Sequence, residues 1–426
     1  MLVSILTNYA LGQQIKKDKN QTLRWRQLWL VMGVALNLGI LGYFKYTDFL
    51  ISNLNWIPGV NIPLLHLVLP LGISFYTFQQ LSYLIDSYCG NDTPCSLCDY
   101  CLFVTFFPQL VAGPIVLPGE MLPQFAKTRK SIDYALFDDG LFLFSCGLAK
   151  KCFVADTIAI LADVGFDSKT VLTMGEAWIV TLAFTLQLYF DFSGYCDMAA
   201  GIARFFGIIL PLNFNSPYKS ANFQEFWRRW HITLGRFMTN YLYIPLGGNR
   251  HGTYRTLFNL FLVFIASGFW HGAGWLFLLW GMLHGICIIV HRIWCQHFAK
   301  KCKINIPNSL SIAVTFLLCN LFWIFFRSKS FARALSICGS LMNFKHCRWL
   351  TSSFCRTIDN SGNYTTSKLL VLMSIALLVV FILPNSSEML DILKKYRVLR
   401  FALTVGLFVL GFLCLGQDSP FLYFNF

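Results

Sequence analysis

Two histidines stand where this chain offers chemistry. His271 lies in the string SGFWHGAGW, inside an almost uncharged run from Leu257 to Val290. An ionisable side chain at bilayer depth signals function by default, and imidazole can take and return a proton near neutral pH. Spacing alone leaves open the other reading, a buried imidazole satisfied by a neighbouring helix. His231 comes forty residues earlier, in NFQEFWRRWHITLGRFMTNYLYIPLGGNRHG (Asn222 to Gly252). There Phe223, Phe226, Trp227, Trp230, Leu234, Phe237 and Tyr241 recur at helical spacing, with Arg228, Arg229 and Arg236 away from the stripe. The pattern predicts a basic amphipathic helix at a membrane interface, with His231 one position off the apolar stripe and able to face a polar cavity. The PLGGNR turn that follows could present backbone N–H groups and Arg250 to a phosphate, although such turns commonly serve only to reverse the chain. His284 reads as structural.

Acidic residues interrupt the apolar stretch YFDFSGYCDMAAGIARFFGIILPLNFN at Asp191 and Asp197. Asp197 and Arg204 are seven apart, on one helical face, and are expected to pair there. Asp191 has no helical partner at that spacing, so it is the acid expected to contact a substrate or orient a histidine. Cys89, Cys95, Cys98 and Cys101 include a CxxCxxC string that could bind zinc or an iron–sulfur cluster. That string opens a hydrophobic helix with no histidine or proline context to complete a known pattern, and no metal site is expected. Most of the fifteen cysteines lie in apolar runs, where a thiol behaves as a small hydrophobe; no disulfide framework is expected.

The elements that must position these residues are membrane helices. Of 426 residues, 56% are hydrophobic, 17% aromatic and only 13% charged, and the mean hydropathy is +0.57, which places the chain among polytopic membrane proteins. Charge-free runs recur at Leu28–Phe44, Leu64–Ile85, Ala177–Phe190, Leu257–Val290, Ile312–Phe326, Leu369–Leu383 and Phe401–Leu415. With the shorter stretches between them they predict an all-α protein of about ten transmembrane or re-entrant helices in one membrane domain, 1–426. Leu257–Val290 would be on the order of 50 Å long as one helix, against a hydrocarbon core of about 30 Å, so it must bend or divide. Gly268, Gly272 and Gly274 around His271 permit a break. Irregular backbone at that depth needs protein or a water-filled cavity around it, so a tunnel is expected at His271, with Trp270 and Trp275 lining it or filling the bundle interior.

The net charge of +14 is clustered in KKDKNQTLRWR, KTRK, AKKCK and LKKYRVLR. These flank apolar spans and read as cytoplasmic loops, so no nucleic-acid partner is expected. The N-terminal MLVSILTNYALGQQIKK reads as part of a span and not as a signal peptide. Lys345–Lys368 reads as an extramembrane loop, its NYT at Asn363 an accidental glycosylation motif.

WRRWHITLGRFMTNYLYIPLGGNR, followed by FWHG, resembles the membrane-bound O-acyltransferase (MBOAT) family. PLGISFYTFQQLSYLIDSY, FVTFFPQLVAGPI, GLAKKCFVAD, YFDFSGYCDMAAGIARFFG and the terminal PFLYFNF resemble its alginate O-acetyltransferase branch in the same order, over nearly the whole chain. The resemblance implies a multi-helix fold around a central tunnel, in the bacterial inner membrane. It implies transfer of an acetyl group from a cytoplasmic donor, acetyl-CoA, to hydroxyls of a secreted or cell-wall polysaccharide, through a periplasmic serine-dependent transferase. No cofactor is expected to be bound. His271 corresponds to the family's invariant histidine and His231 to its second. A neutral His271 would act as general base, with acyl-histidine as a variant mechanism. His231 would stabilise developing charge or position the donor, Asp191 and Trp270 would contact substrate, and Arg228, Arg229 and Arg250 would hold donor phosphates. Relatives of this kind begin with a further apolar span or two before the segment matching NYALGQQIKK, so the chain is expected to be short at its N-terminus. Rival readings are D-alanyl transfer to teichoic acid, a proton-coupled transporter or flippase, and an inactive scaffold.

Overall fold

The computed structural model describes residues 1–17, 23–91, 93–127, 132–298, 306–344, 349–361, 364–416 and 422. The KKDKNQ, KTRK and AKKCK clusters, Asn363 and the terminal PFLYFNF lie wholly or largely outside the described residues. Within them the chain is all-helical. In chain order the helices are α1 (Leu2–Lys17), α2 (Leu23–Leu54, one rod through a π-turn at Gly42–Tyr46), α3 (Ile73–Cys89), α4 (Leu97–Thr105) and α5 (Pro118–Ala126). Then follow α6 (Tyr134–Leu148, leading into a π-turn at Ala149–Ala155), α7 (Asp156–Phe166), α8 (Met174–Phe205), α9 (Phe223–Arg229) and α10 (Ile232–Met238). The last are α11 (Gly252–His271), α12 (Trp275–Ile293), α13 (Asn308–Arg327), α14 (Phe331–Leu341), α15 (Ser352–Ser361), α16 (Thr366–Ile382), α17 (Ser386–Leu393) and α18 (Arg397–Leu413).

Helix α8 is the spine. Its 32 residues make a rod of about 48 Å at 1.5 Å per residue, and it is buried around most of its circumference. Thr173 and Glu176 form its capping box, and the second carboxylate oxygen of Glu176 accepts from Thr351 N (3.0 Å) and Oγ1 (2.7 Å). Helix α6 crosses α8 with backbone against backbone: Gly140 meets Gly201 and Gly147 meets Gly194. The π-turn that follows carries Lys150 and Lys151 to opposite partners. Lys150 pairs with Asp197 (2.7 Å), and Lys151 with both Asp156 and Asp191 (2.6 Å each). The expected Asp197–Arg204 pair is therefore not formed: Asp197 takes Lys150 and the hydroxyl of Ser386 (2.6 Å), and Arg204 donates to the carbonyl of Ala200 one turn back.

Among the described residues three helices are long and apolar enough to cross a bilayer by length and composition: Leu23–Leu54, Trp275–His297 and Asn308–Arg327. Large apolar side chains point outward on several helices, among them Val31, Val371, Leu378, Phe401 and Phe412, as they do where lipid is the solvent. The run Leu64–Ile85 is helical only from Ile73, because Pro63 and Pro70 withhold backbone donors and Gly72 enters α3 left-handed at φ 69°. Lys345–Lys368 is not a free loop over its described part. Phe354 and Ile358 of α15 are buried, and Thr351 is held by Glu176.

Candidate active site

The charge-free run around His271 divides as its length requires. Helix α11 ends at His271, Gly272–Gly274 turn the chain, and α12 returns antiparallel against α11. A Cβ on Gly268 would collide with the carbonyl oxygen of Phe277, and one on Gly281 with that of Phe264. The two helices thus touch through glycine just below the turn. His271, 4% exposed, is walled by Trp270, Trp280 and Phe326 at ring-centroid distances of 4.9, 5.2 and 5.4 Å.

His231 faces it. The ring centroids of His231 and His271 are 6.4 Å apart, and Trp270 lies 6.2 Å from His231. The Asn222–Gly252 block is not one interfacial helix: it breaks at Trp230 and His231, and its aromatic face (Phe226, Trp230, Leu234, Phe237) is buried in the protein core. His231 itself has left-handed backbone, φ 44° and ψ 52°, which costs a non-glycine residue roughly 1–2 kcal/mol. The extended segment before α9 holds the break in place. Ile232 N donates to Asn213 O (3.0 Å), and Asn215 N to Arg229 O (2.9 Å). The amide oxygen of Asn213 accepts from Thr233 N (3.2 Å) and Thr233 Oγ1 (2.8 Å), and lies 3.1 Å from His231 Nδ1. An amide oxygen can only accept, so His231 Nδ1 carries the proton and Nε2 is the nitrogen that accepts one.

Replacing Asn213 with alanine leaves buried donors on Thr233 and His231 unmatched, at about 1–3 kcal/mol each. The expected result is a lower thermal midpoint and at least a roughly tenfold lower turnover, the equivalent of about 1.4 kcal/mol of lost positioning. Turnover equal to that of the native chain would show that the set of the His231 ring is immaterial.

Three cavities lie along the hairpin and its neighbours, one of them lined by His271. One of about 160 Å³ is lined by Lys45, Ser74, Trp270 and His271. One of about 810 Å³ lies at the hairpin turn, lined by Asp163, Asp167, Gln187, Trp275 and Arg327, and Phe326 stands between it and His271. Burial at its rim would raise the Asp167 carboxyl, but Lys329 (2.8 Å) and Arg327 (3.6 Å) outweigh burial and hold it below the usual carboxylate range. The third, of about 550 Å³, opens toward the other end of the hairpin, with Arg228, Arg236 and Arg292 above a floor of Leu234, Val263 and Phe264.

The structure therefore brings His231, His271 and Trp270 together and puts Arg228 on a neighbouring cavity. It places the other candidates elsewhere. Arg229 is occupied by Glu225 (2.9 Å) and the carbonyl of Asn215 (3.2 Å). Arg250 is exposed on the turn, which Asn259 pins through the carbonyls of Leu246 and Gly248. Asp191 orients no histidine among the described contacts; it takes Lys151 and the backbone N–H of Leu422 (3.1 Å). Trp275 is 47% exposed and donates to Asn53 Oδ1 (3.0 Å). His284 accepts from Trp227 Nε1 (3.2 Å), a structural contact. Sequence reasoning missed Asn213 and Lys45. Asn213 sits on extended chain with no periodicity to mark it. Lys45 closes the run Leu28–Phe44, where a charge reads as the end of a span, yet the helix continues to Leu54.

The model of MBOAT, the membrane-bound O-acyltransferase family, matches residues 2–328. The chain is 43% identical over 463 aligned residues to the peptidoglycan O-acetyltransferase of Helicobacter pylori, covering 99% of the chain and 86% of that protein. It is 38% identical over 445 residues to the probable alginate O-acetylase AlgI of Pseudomonas putida, covering 99% and 89%. Against the probable alginate O-acetylase AlgI of Pseudomonas aeruginosa it is 42% identical over 343 residues, covering 79% of the chain and 64% of that protein.

Proposed function

This chain belongs to the membrane-bound O-acyltransferase family, and we propose that it moves an acetyl group from acetyl-CoA on the cytoplasmic side toward hydroxyls of an extracytoplasmic polysaccharide. The place of action is the bacterial inner membrane, and a periplasmic serine-dependent transferase completes the delivery. Peptidoglycan is the first acceptor to test, because the relative named for it aligns over 99% of the chain at 43% identity.

The observation that carries the reading is the histidine pair, 6.4 Å apart, with cavities toward both ends of the α11–α12 hairpin. The arginine-rimmed cavity suits the donor: Arg228 and Arg292 match the phosphates of coenzyme A, and the apolar floor suits its pantetheine arm. Basic residues gather on the cytoplasmic side under the positive-inside rule, which sets the donor there and the hairpin turn toward the acceptor. In the transfer, His271 takes the proton of the attacking hydroxyl, the oxygen bonds to the thioester carbonyl carbon, and the C–S bond breaks. The thiolate leaves with the proton that His271 held. His231, held by Asn213 through Nδ1, has its ring 6.4 Å from that of His271.

The test is transfer of label from radiolabelled acetyl-CoA in membranes carrying the chain and its partner genes. The expected result is label in polysaccharide or in the partner protein. Label delivered from a D-alanyl thioester and none from acetyl-CoA would replace acetyl by D-alanyl as the group transferred.

A further inference from the structure

Lys45 lies in the π-turn Gly42–Tyr46, well inside the 32-residue apolar rod α2. Its ammonium donates to the carbonyl oxygens of Trp270 (2.6 Å) and His271 (3.3 Å), reaches Ser74 Oγ (3.4 Å), and stands 5.8 Å from the centroid of the Trp270 ring. The next residue, Tyr46, donates to the carbonyl of Phe269 (2.9 Å). The π-turn thus delivers two donors to the last three carbonyls of α11, groups that no helical N–H can satisfy. Capping accounts for the hydrogen bonds. The negative end of the α11 dipole favours a cation there, but it supplies no full counter-charge.

A cation at bilayer depth is costly, and backbone carbonyls offset that cost without neutralising the charge as a carboxylate does. The lysines on the π-turn Ala149–Ala155 take carboxylates, Lys150 with Asp197 and Lys151 with Asp156 and Asp191. Lys45 does not: among the described residues its hydrogen-bond partners are neutral. It lines the 160 Å³ cavity together with His271. A positive charge with no carboxylate among its described hydrogen-bond partners, beside a base, is matched to a reaction that creates negative charge in that space.

Building on the acyl-transfer reading above, we propose that Lys45 is a catalytic residue, the ammonium that stabilises the oxyanion of the tetrahedral intermediate formed at His271. As the acceptor oxygen bonds to the thioester carbonyl carbon, its proton passes to His271 and the carbonyl π pair moves onto oxygen, where a Lys45 N–H donates to it. When the C–S bond breaks, that pair re-forms the carbonyl and the thiolate takes the proton from His271. Lys45 keeps its own proton throughout. Its bond to Trp270 O fixes the ammonium, and the two longer contacts, to His271 O and Ser74, are the ones given up to the oxyanion.

The experiment compares Lys45→Gln, which keeps a donor for the carbonyls without the charge, with Lys45→Arg, which keeps both. Full-length protein in membranes is given acetyl- and D-alanyl-thioester donors in parallel, and thermal midpoints are measured on the same preparations. The expected result is a kcat about 10²-fold lower in Lys45→Gln, an unchanged KM for the donor, a folded protein, and substantial recovery of kcat in Lys45→Arg. A native chain that transfers a group while Lys45→Gln matches its kcat overturns the assignment and leaves the function standing. A Lys45→Gln protein that does not fold places the lysine in structure and also overturns it. Transfer of D-alanyl alone by the native chain overturns the acetyl reading, and the Lys45 comparison is then read on that donor. Transfer of neither group overturns both.

Discussion

Turnover falls by about 10²–10⁴ when His271 is replaced by glutamine, and the protein is still recovered folded. The backbone at His271 does not depend on its ring. Its carbonyl and that of Trp270 are taken by Lys45, and the helix ends there because Gly272 and Gly274 are extended. Glutamine fills most of the space between Trp270, Trp280 and Phe326 and still hydrogen-bonds, but it cannot take a proton near neutral pH. Alanine tests the same chemistry with a larger structural cost, since it opens a void among three aromatic walls. A group that acts only in the transition state lowers kcat and kcat/KM together and leaves KM near its native value. The check is initial-rate kinetics with labelled acetyl-CoA on matched amounts of folded protein. Activity within tenfold of the native chain in His271→Gln would remove the general-base role and return His271 to a packing residue.

Much of this site is legible in the sequence, for reasons that differ from residue to residue. His271 stands out because the run around it is too long for one span and holds no Asp, Glu, Lys or Arg, and the hairpin follows from that length. The break at His231 leaves no trace in the pattern: both halves bury the same aromatic face, so Phe226, Trp230, Leu234 and Phe237 keep helical spacing across it. What imposes the break is Asn213, eighteen residues away on a segment with no period. The ion-pair partners of the acids are hidden for a related reason. Asp191 and Asp197 lack partners along their own helix, but a π-turn on a neighbouring element supplies lysines to both, and spacing within one helix cannot reveal a partner on another. The same limit hid Lys45, whose two carbonyl partners lie more than two hundred residues on.

Inserting a side chain at Gly194 is expected to abolish the fold, not merely the reaction. A Cβ there would lie 2.8 Å from the carbonyl oxygen of Gly147 and 3.1 Å from both the Lys150 Cβ and the Lys151 backbone nitrogen. Two of these three atoms are backbone, so no rotamer change relieves the clash and α6 must move away from α8. The π-turn moves with it, and that turn carries the lysines that neutralise Asp197, Asp156 and Asp191. Overpacking costs about 1–3 kcal/mol, and disrupting a buried ion pair about 3–5 kcal/mol. Together they take up much of the roughly 5–15 kcal/mol by which a typical folded protein is stable. Gly201 repeats the arrangement one heptad on, where a Cβ would lie 2.6 Å from the carbonyl oxygen of Gly140. Gly406 is the control, because nothing lies within 4 Å of a Cβ built there. Size-exclusion profiles of detergent-extracted protein should show Gly194→Leu aggregated or absent and Gly406→Leu indistinguishable from the native chain. Equal thermal midpoints for Gly194→Leu and the native chain would mean that α6 and α8 do not meet backbone to backbone, and that the charged core has some other support.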